Sequence, residues 1–319
     1  MGVRKKIKVR DVGVEVSIYQ AFEEFVAEKE ALGIKPKTLS NYKQSVNYFM
    51  EFNDLGDDSI MEEVNNSMFY KWINTLKLKG NSVASINHYL RDVKSFFNWC
   101  YDKEYLAEKV DIDNVKGQEE QPKAFTENDI LELLEKPKRG ESFAVWRTWA
   151  IVNWVLGTGN RAATICEVKI SDVDFVNKTI ALRHTKNNKA QNIPLSSSLA
   201  TTLKEYMRNA EITGEWLFPN IADEQLTTNA LRHSFSKYCK DRGVDQTNIH
   251  GLRHSFAITW ITNGGSQYAL QNILGHSTVA MTSKYVRLSV EDTKKDFDTF
   301  NALDSLKKKQ KRTSVHKKN

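Results

Sequence analysis

A chain of 319 residues, 40% hydrophobic and 27% charged, has the balance of an ordinary globular protein and room for two domains at roughly 100–200 residues each. Its formal net charge of +6 is mildly basic, which admits an acidic partner without requiring one. Cys100, Cys166 and Cys239 form no CxxC pair, which argues against a disulfide framework or a cysteine zinc site. No apolar stretch nears the roughly 18 residues that span a bilayer, so a soluble, cytoplasmic protein is expected.

The chain opens on a basic extension, residues 1–15, with Arg4, Lys5, Lys6, Lys8 and Arg10. Residues 16–106 read as a helical domain. Ile18, Phe22, Phe25 and Val26 recur at three- and four-residue spacing, as do Leu39, Tyr42, Val46 and Phe49. Pro36 stands where a helix start tolerates it. Met68 to Ile73 predicts a short third helix. A fourth, from Ser82 to Tyr101, sets Ile86, Leu90, Val93, Phe96 and Phe97 on one face and Asn87, Arg91 and Lys94 on the other. The plain reading of that polar side is a solvated face; the sharper one is a DNA-facing surface.

Residues 107–123 lose the periodicity and run through Gln118-Glu119-Glu120-Gln121-Pro122, the pattern of an interdomain linker. A second domain is predicted over 124–306. Thr126 with Asp129 signals a helix N-terminus, and Trp146 to Leu156 is an apolar helix ending at Gly157-Thr158-Gly159. Phe175 to Leu182 and Asn192 to Leu195 read as strands around the turn Lys186-Asn187-Asn188-Lys189, since asparagine tolerates left-handed turn geometry. The rest reads as helical to Leu306, with Phe297, Phe300, Leu303 and Leu306 on one apolar face, before a basic tail over 307–319.

Two questions of chemistry arise in the second domain. His250 and His254 lie four apart with His276 downstream, which first suggests a metal. The zinc-protease pattern needs glutamate beside the first histidine, but Gly251 stands there, and Arg253 would set a fixed charge at the ion. A phosphate site fits better. Arginine forks neutralise non-bridging oxygens, histidine moves protons near neutrality, and tyrosine serves as a covalent nucleophile. The second question is a repeat: Leu231-Arg232-His233-Ser234-Phe235 returns as Leu252-Arg253-His254-Ser255-Phe256.

Taken together, these motifs resemble the tyrosine recombinase (phage integrase) family. Its His-x-x-Arg-His box reads here as His250, Arg253 and His254, its Leu-Gly-His as Leu274-Gly275-His276, and its nucleophile as Tyr285 in Ser283-Lys284-Tyr285-Val286. Arg232 lacks the histidine three residues earlier, so Arg253 is the arginine of the box. The first box appears as Gly157-Thr158-Gly159-Asn160-Arg161 with Lys169-Ile170-Ser171-Asp172-Val173-Asp174. The family's hairpin lysine falls on Lys186, ahead of Pro194-Leu195. Lys37 to Tyr42 and Ser85 to Leu90 look like the helical core-binding domain. Two departures stand out: Thr164 where an acid is usual, with Glu167 one turn on as its candidate substitute, and Asn187 where glycine is usual.

The resemblance implies a mainly α, two-domain DNA clamp: an N-terminal helical core-binding bundle and a mostly helical catalytic domain with a small antiparallel sheet. It implies a catalytic set of Tyr285, Arg161, Arg253, His250, His276 and Lys186, with neither cofactor nor metal. The implied partners are double-stranded DNA carrying recombination sites, a homotetramer in the synaptic complex and an accessory DNA-bending or directionality protein, with no membrane. No arm-site DNA-binding domain is expected. Integration or excision of a mobile element is the favoured role; Xer-like dimer resolution, topoisomerase IB-like nicking and a non-catalytic DNA-binding regulator are the alternatives. The segment from Leu288 to Leu306 is expected to reach a neighbouring protomer.

Overall fold

The computed structural model describes residues 16–117, 124–183, 190–276, 278–283 and 285, which divide into two compact units at residues 121 and 122. The turn 184–189 with Lys186, the two basic ends and the segment from Leu288 to Leu306 lie outside the described residues.

The first unit contains α1 (Ile18–Ala31), α2 (Pro36–Phe52), α3 (Asn66–Leu78) and α4 (Val83–Asp102). Local chemistry sets each start. Ser17 and Gln20 form a capping box on α1, Pro36 occupies the first turn of α2, and the side chains of Asn65 and Ser82 cap α3 and α4. The apolar faces meet in an aromatic core. Phe96 receives Phe22 and Phe25 edge-on at 5.2 and 5.5 Å, and Phe49 packs edge-on to Trp72 at 5.2 Å.

The polar side of α4 has a job that the sequence did not reveal. Asn87 exchanges two hydrogen bonds with the backbone of Val115, at 3.1 and 2.8 Å, and the Lys94 ammonium donates to the carbonyl of Ile112. Leu106, Val110 and Ile112 are buried in the helical core. The first half of the stretch read as a linker is therefore bound along α4, and Asn87 and Lys94 hold its backbone. Arg91 stays exposed, and its guanidinium is held by the buried carboxylate of Asp92 at 2.9 Å.

The second unit is organised around α6 (Phe143–Thr158), which is apolar on nearly every side and so belongs in a core. It packs against α5 (Glu127–Leu134), α8 (Ser197–Asn209), α9 (Thr228–Lys240) and α10 (Ile249–Thr262). Thr126 and Asp129 form a capping box on α5. The sheet is antiparallel, with β1 (Val173–Asp174), β2 (Thr179–Leu182) and β3 (Gln191–Pro194) in sequence order. Ile180 pairs with Ile193, which places both in the core beside Leu182. The predicted strand over Phe175 to Leu182 is thus shorter than expected. Asp174 accepts from the backbone N–H groups of Val176 and Asn177 and folds Phe175 to Lys178 into a turn. Asp172 binds Arg183 at 2.6 Å. The acidic run of the first box builds the sheet.

Candidate active site

Three short pieces converge: the turn after α6, the first half of α10, and the stretch from α11 (Gln267–Leu274) through α12 (Val279–Ser283) to Tyr285. The turn after α6 is fixed from within. Thr158 hydroxyl donates to the Trp154 carbonyl at 2.7 Å, and the Trp154 indole donates to Asn160 Oδ1 at 2.9 Å. Gly159 closes the helix at φ +65°, where an added Cβ would stand 2.5 Å from Phe256 and 2.6 Å from Leu274. Glycine is required there by conformation and by space. Arg161 then opens α7 (Ala162–Ile165).

Arg253 is 3% exposed and makes three contacts. Its Nη1 donates to the Gly159 carbonyl at 2.6 Å, and its Nη2 donates to the Leu274 carbonyl and to His276 Nε2, both at 2.9 Å. Arg161 Nη1 donates to the same Leu274 carbonyl at 3.3 Å. That carbonyl ends α11, where the helix presents its negative pole and unpaired acceptors. Gly275, at φ +61°, turns the chain so that His276 follows immediately. Gln191 on β3 donates to the carbonyls of Asn272 and Ile273 and ties the sheet to this helix end.

A guanidinium has only donors, so His276 Nε2 accepts, its proton sits on Nδ1, and Nδ1 donates to Thr282 Oγ1 at 2.8 Å. Desolvation, with the charges of Arg253 and Arg161, holds the His276 pKa down at about 4, so the ring is neutral at physiological pH. Burial first, and then the charge of Arg161, push Arg253 down to about 9. Among the described residues neither arginine has a carboxylate partner, and Glu167 is exposed and forms no ion pair with Arg161. Two cations drawn together with little solvent and no counter-ion define an anion site.

Tyr285 is half-buried against Ala257, Leu270 and Leu274, with its ring 5.0 Å from that of His254. It lies within electrostatic reach of both arginines and raises the pKa of each. His250 stands in the first turn of α10, its backbone N–H donating to the side chain of Asn248, which caps the helix. Its pKa lies below the ordinary histidine value through desolvation and the charges of Arg253 and Arg161. Because the residue as a whole is exposed, the flanking cations are the cause the geometry supports best. Five of the six sequence-predicted site residues thus fall in one place; Lys186 lies outside the described residues. Of the repeated boxes, α10 carries Arg253 into this centre, whereas Arg232 is exposed on α9. Sequence reasoning missed Thr282, Gln191 and the tilted packing of His254 against Tyr285. Only His254 lay inside a motif.

Such a site offers a phosphoryl group two arginines next to a tyrosine and histidines, the equipment that phosphoryl transfer to a protein hydroxyl requires. Residues 123–292 match the Phage integrase family, and residues 20–104 match the Phage integrase, N-terminal SAM-like domain. The chain belongs to the phage integrase family and is a tyrosine-type site-specific recombinase. It is 27% identical over 293 residues to tyrosine recombinase XerA of Pyrococcus furiosus, covering 90% of this chain and 96% of that one. In fold it is similar to the Tn1549 transposon integrase in complex with a circular intermediate DNA, with a TM-score of 0.75, 19% identity, and 89% and 99% of the two chains covered. A lambda integrase tetramer bound to a Holliday junction matches with a TM-score of 0.71, 18% identity, and 86% and 78% covered. No described helix is long and apolar enough to cross a membrane.

Proposed function

We propose that the protein cuts and rejoins two DNA duplexes at specific sites through a 3′-phosphotyrosyl intermediate. The observation that carries this reading is the pair of guanidiniums on the Leu274 carbonyl, without a carboxylate and within reach of Tyr285. Arg161 and Arg253 hold the non-bridging oxygens of the scissile phosphate and offset the charge that builds on them. Tyr285 Oη attacks the phosphorus and its proton passes to neutral His250. The bond from phosphorus to the 5′-oxygen breaks, and Lys186 gives that oxygen a proton. His276 hydrogen-bonds the phosphate. The phosphotyrosyl bond conserves the energy of the broken one, so the 5′-hydroxyl of a second duplex reverses the step without nucleotide or metal. Two rounds of exchange pass through a Holliday junction within a homotetramer.

Integration or excision of a mobile element is the role we favour, on the departures at Thr164 and Asn187. The similarity to XerA along nearly its whole length supports Xer-like dimer resolution as the second reading. Both are tested with labelled duplexes carrying the DNA that flanks the coding region, incubated in EDTA without nucleotide. Joined products between two DNAs are expected. Nicking and resealing of one duplex, without joined products, would instead describe a topoisomerase. Exchange between identical sites alone would favour dimer resolution over integration.

A further inference from the structure

The function described above uses His276 and Tyr285 but leaves unexplained what holds them relative to each other. Thr282 lies between them in the chain, is fully buried, and touches both. Its Oγ1 is 2.8 Å from His276 Nδ1, and its carbonyl accepts the N–H of Tyr285 at 3.0 Å. On the far side of the imidazole, Arg253 Nη2 meets Nε2 at 2.9 Å. We infer that Thr282 is a positioning residue for strand cleavage: it holds the proton of His276 on Nδ1, aims Nε2 at the phosphate pocket, and anchors the backbone of the nucleophile to the same ring.

Arginine offers no lone pair, so the nitrogen facing it in the free protein must be unprotonated. The proton on Nδ1 then needs a buried acceptor, and Thr282 Oγ1 is the acceptor the structure provides. A buried N–H without one would carry the desolvation penalty of an unsatisfied donor. Nδ1–H keeps this bond whether Nε2 accepts from Arg253 or, once protonated, donates to a phosphate oxygen. The ring therefore has no need to turn between the free and bound states, and Thr282 serves as its fixed end in both. The second bond, from the Tyr285 N–H, makes the tyrosine backbone move with the imidazole.

This inference rests on the recombinase reading for its kinetic consequence but not for its structural one, and the test separates them. Long-range proton–nitrogen NMR of the free, full-length protein, with His276 assigned by its loss in His276→Gln, is expected to show protonated Nδ1 and unprotonated Nε2. In Thr282→Val, which keeps shape and loses the hydroxyl, the ring, its Nδ1–H left without an acceptor, is expected to turn away from Arg253, and that signature to be lost. The rate of covalent complex formation on a nicked site should fall about 10²-fold, the scale of an ångström's misplacement, with DNA affinity unchanged. Thr282→Ser should restore both. A wild-type ring protonated on Nε2 would overturn the inference even if Thr282→Val fails to fold. So would a folded Thr282→Val with wild-type signature and rate, or a folded Thr282→Ser that behaves like Thr282→Val. A wild-type protein that forms no covalent complex would overturn the recombinase reading while the NMR result still judges the role of Thr282.

Discussion

Arg253, buried on α10, donates to the carbonyl oxygen of Gly159, the residue that ends α6, at 2.6 Å. This bond joins the two arginine-bearing boxes, which lie far apart in the chain. It also explains why the glycine run precedes the first arginine. The backbone must turn left-handed so that one carbonyl meets Arg253 while the next residues deliver Arg161.

Gly159→Ala should therefore lose both stability and cleavage. The left-handed conformation alone costs an alanine about 1–2 kcal/mol, and contacts of 2.5 and 2.6 Å with Phe256 and Leu274 add to it. Urea unfolding should show a lowered midpoint. A variant as stable and as active as the wild type would mean that the turn does not hold the arginines.

Arg253→Ala should lower cleavage by about 10²–10³, the usual cost of removing one charge-stabilising donor. Arg232→Ala, on the exposed face of α9, should cost far less. Single-turnover cleavage of a nicked site checks this. Equal losses would undo the choice between the two Leu-Arg-His-Ser-Phe copies.

Stability should fall as the medium is acidified between pH 6.5 and about 4. His276 titrates near 6.5 when unfolded and near 4 when folded, so in that window the unfolded chain binds more protons and is favoured. His250 and His254, also lowered, act in the same direction. Comparing urea midpoints at pH 7 and pH 5, the His276→Gln variant should lose less than the wild type. An identical loss would mean that His276 is not held neutral by burial and the arginines.

The elements that the sequence announced are those whose ends carry a side-chain signal or whose faces keep a strict period. Pro36, Thr126 and Gly159 mark helix ends by chemistry that acts within a few residues, and the apolar α6 declares a core on its own. The mainly helical class with a small antiparallel sheet was implied by the family resemblance, and the described helices and three-stranded sheet agree with it. The two-residue β1 was not legible, because its strand character comes only from pairing with β2. Nor was the work of Asn87 and Lys94, whose partners are backbone atoms more than fifteen residues away. Backbone acceptors have no letter in the sequence. The Leu274 carbonyl, on which both arginines meet, is for that reason the part of the site least open to sequence reasoning.

The most direct test of the account is to trap the protein on a nicked recombination site, digest it, and identify the peptide attached to DNA by mass spectrometry. The account predicts a 3′-phosphoryl link on Tyr285. It also predicts that Tyr285→Phe, which removes one oxygen and keeps the ring against His254, binds the site but forms no covalent band. A denaturant-resistant complex that survives in Tyr285→Phe, or an adduct mapped to the exposed Tyr268, would contradict it.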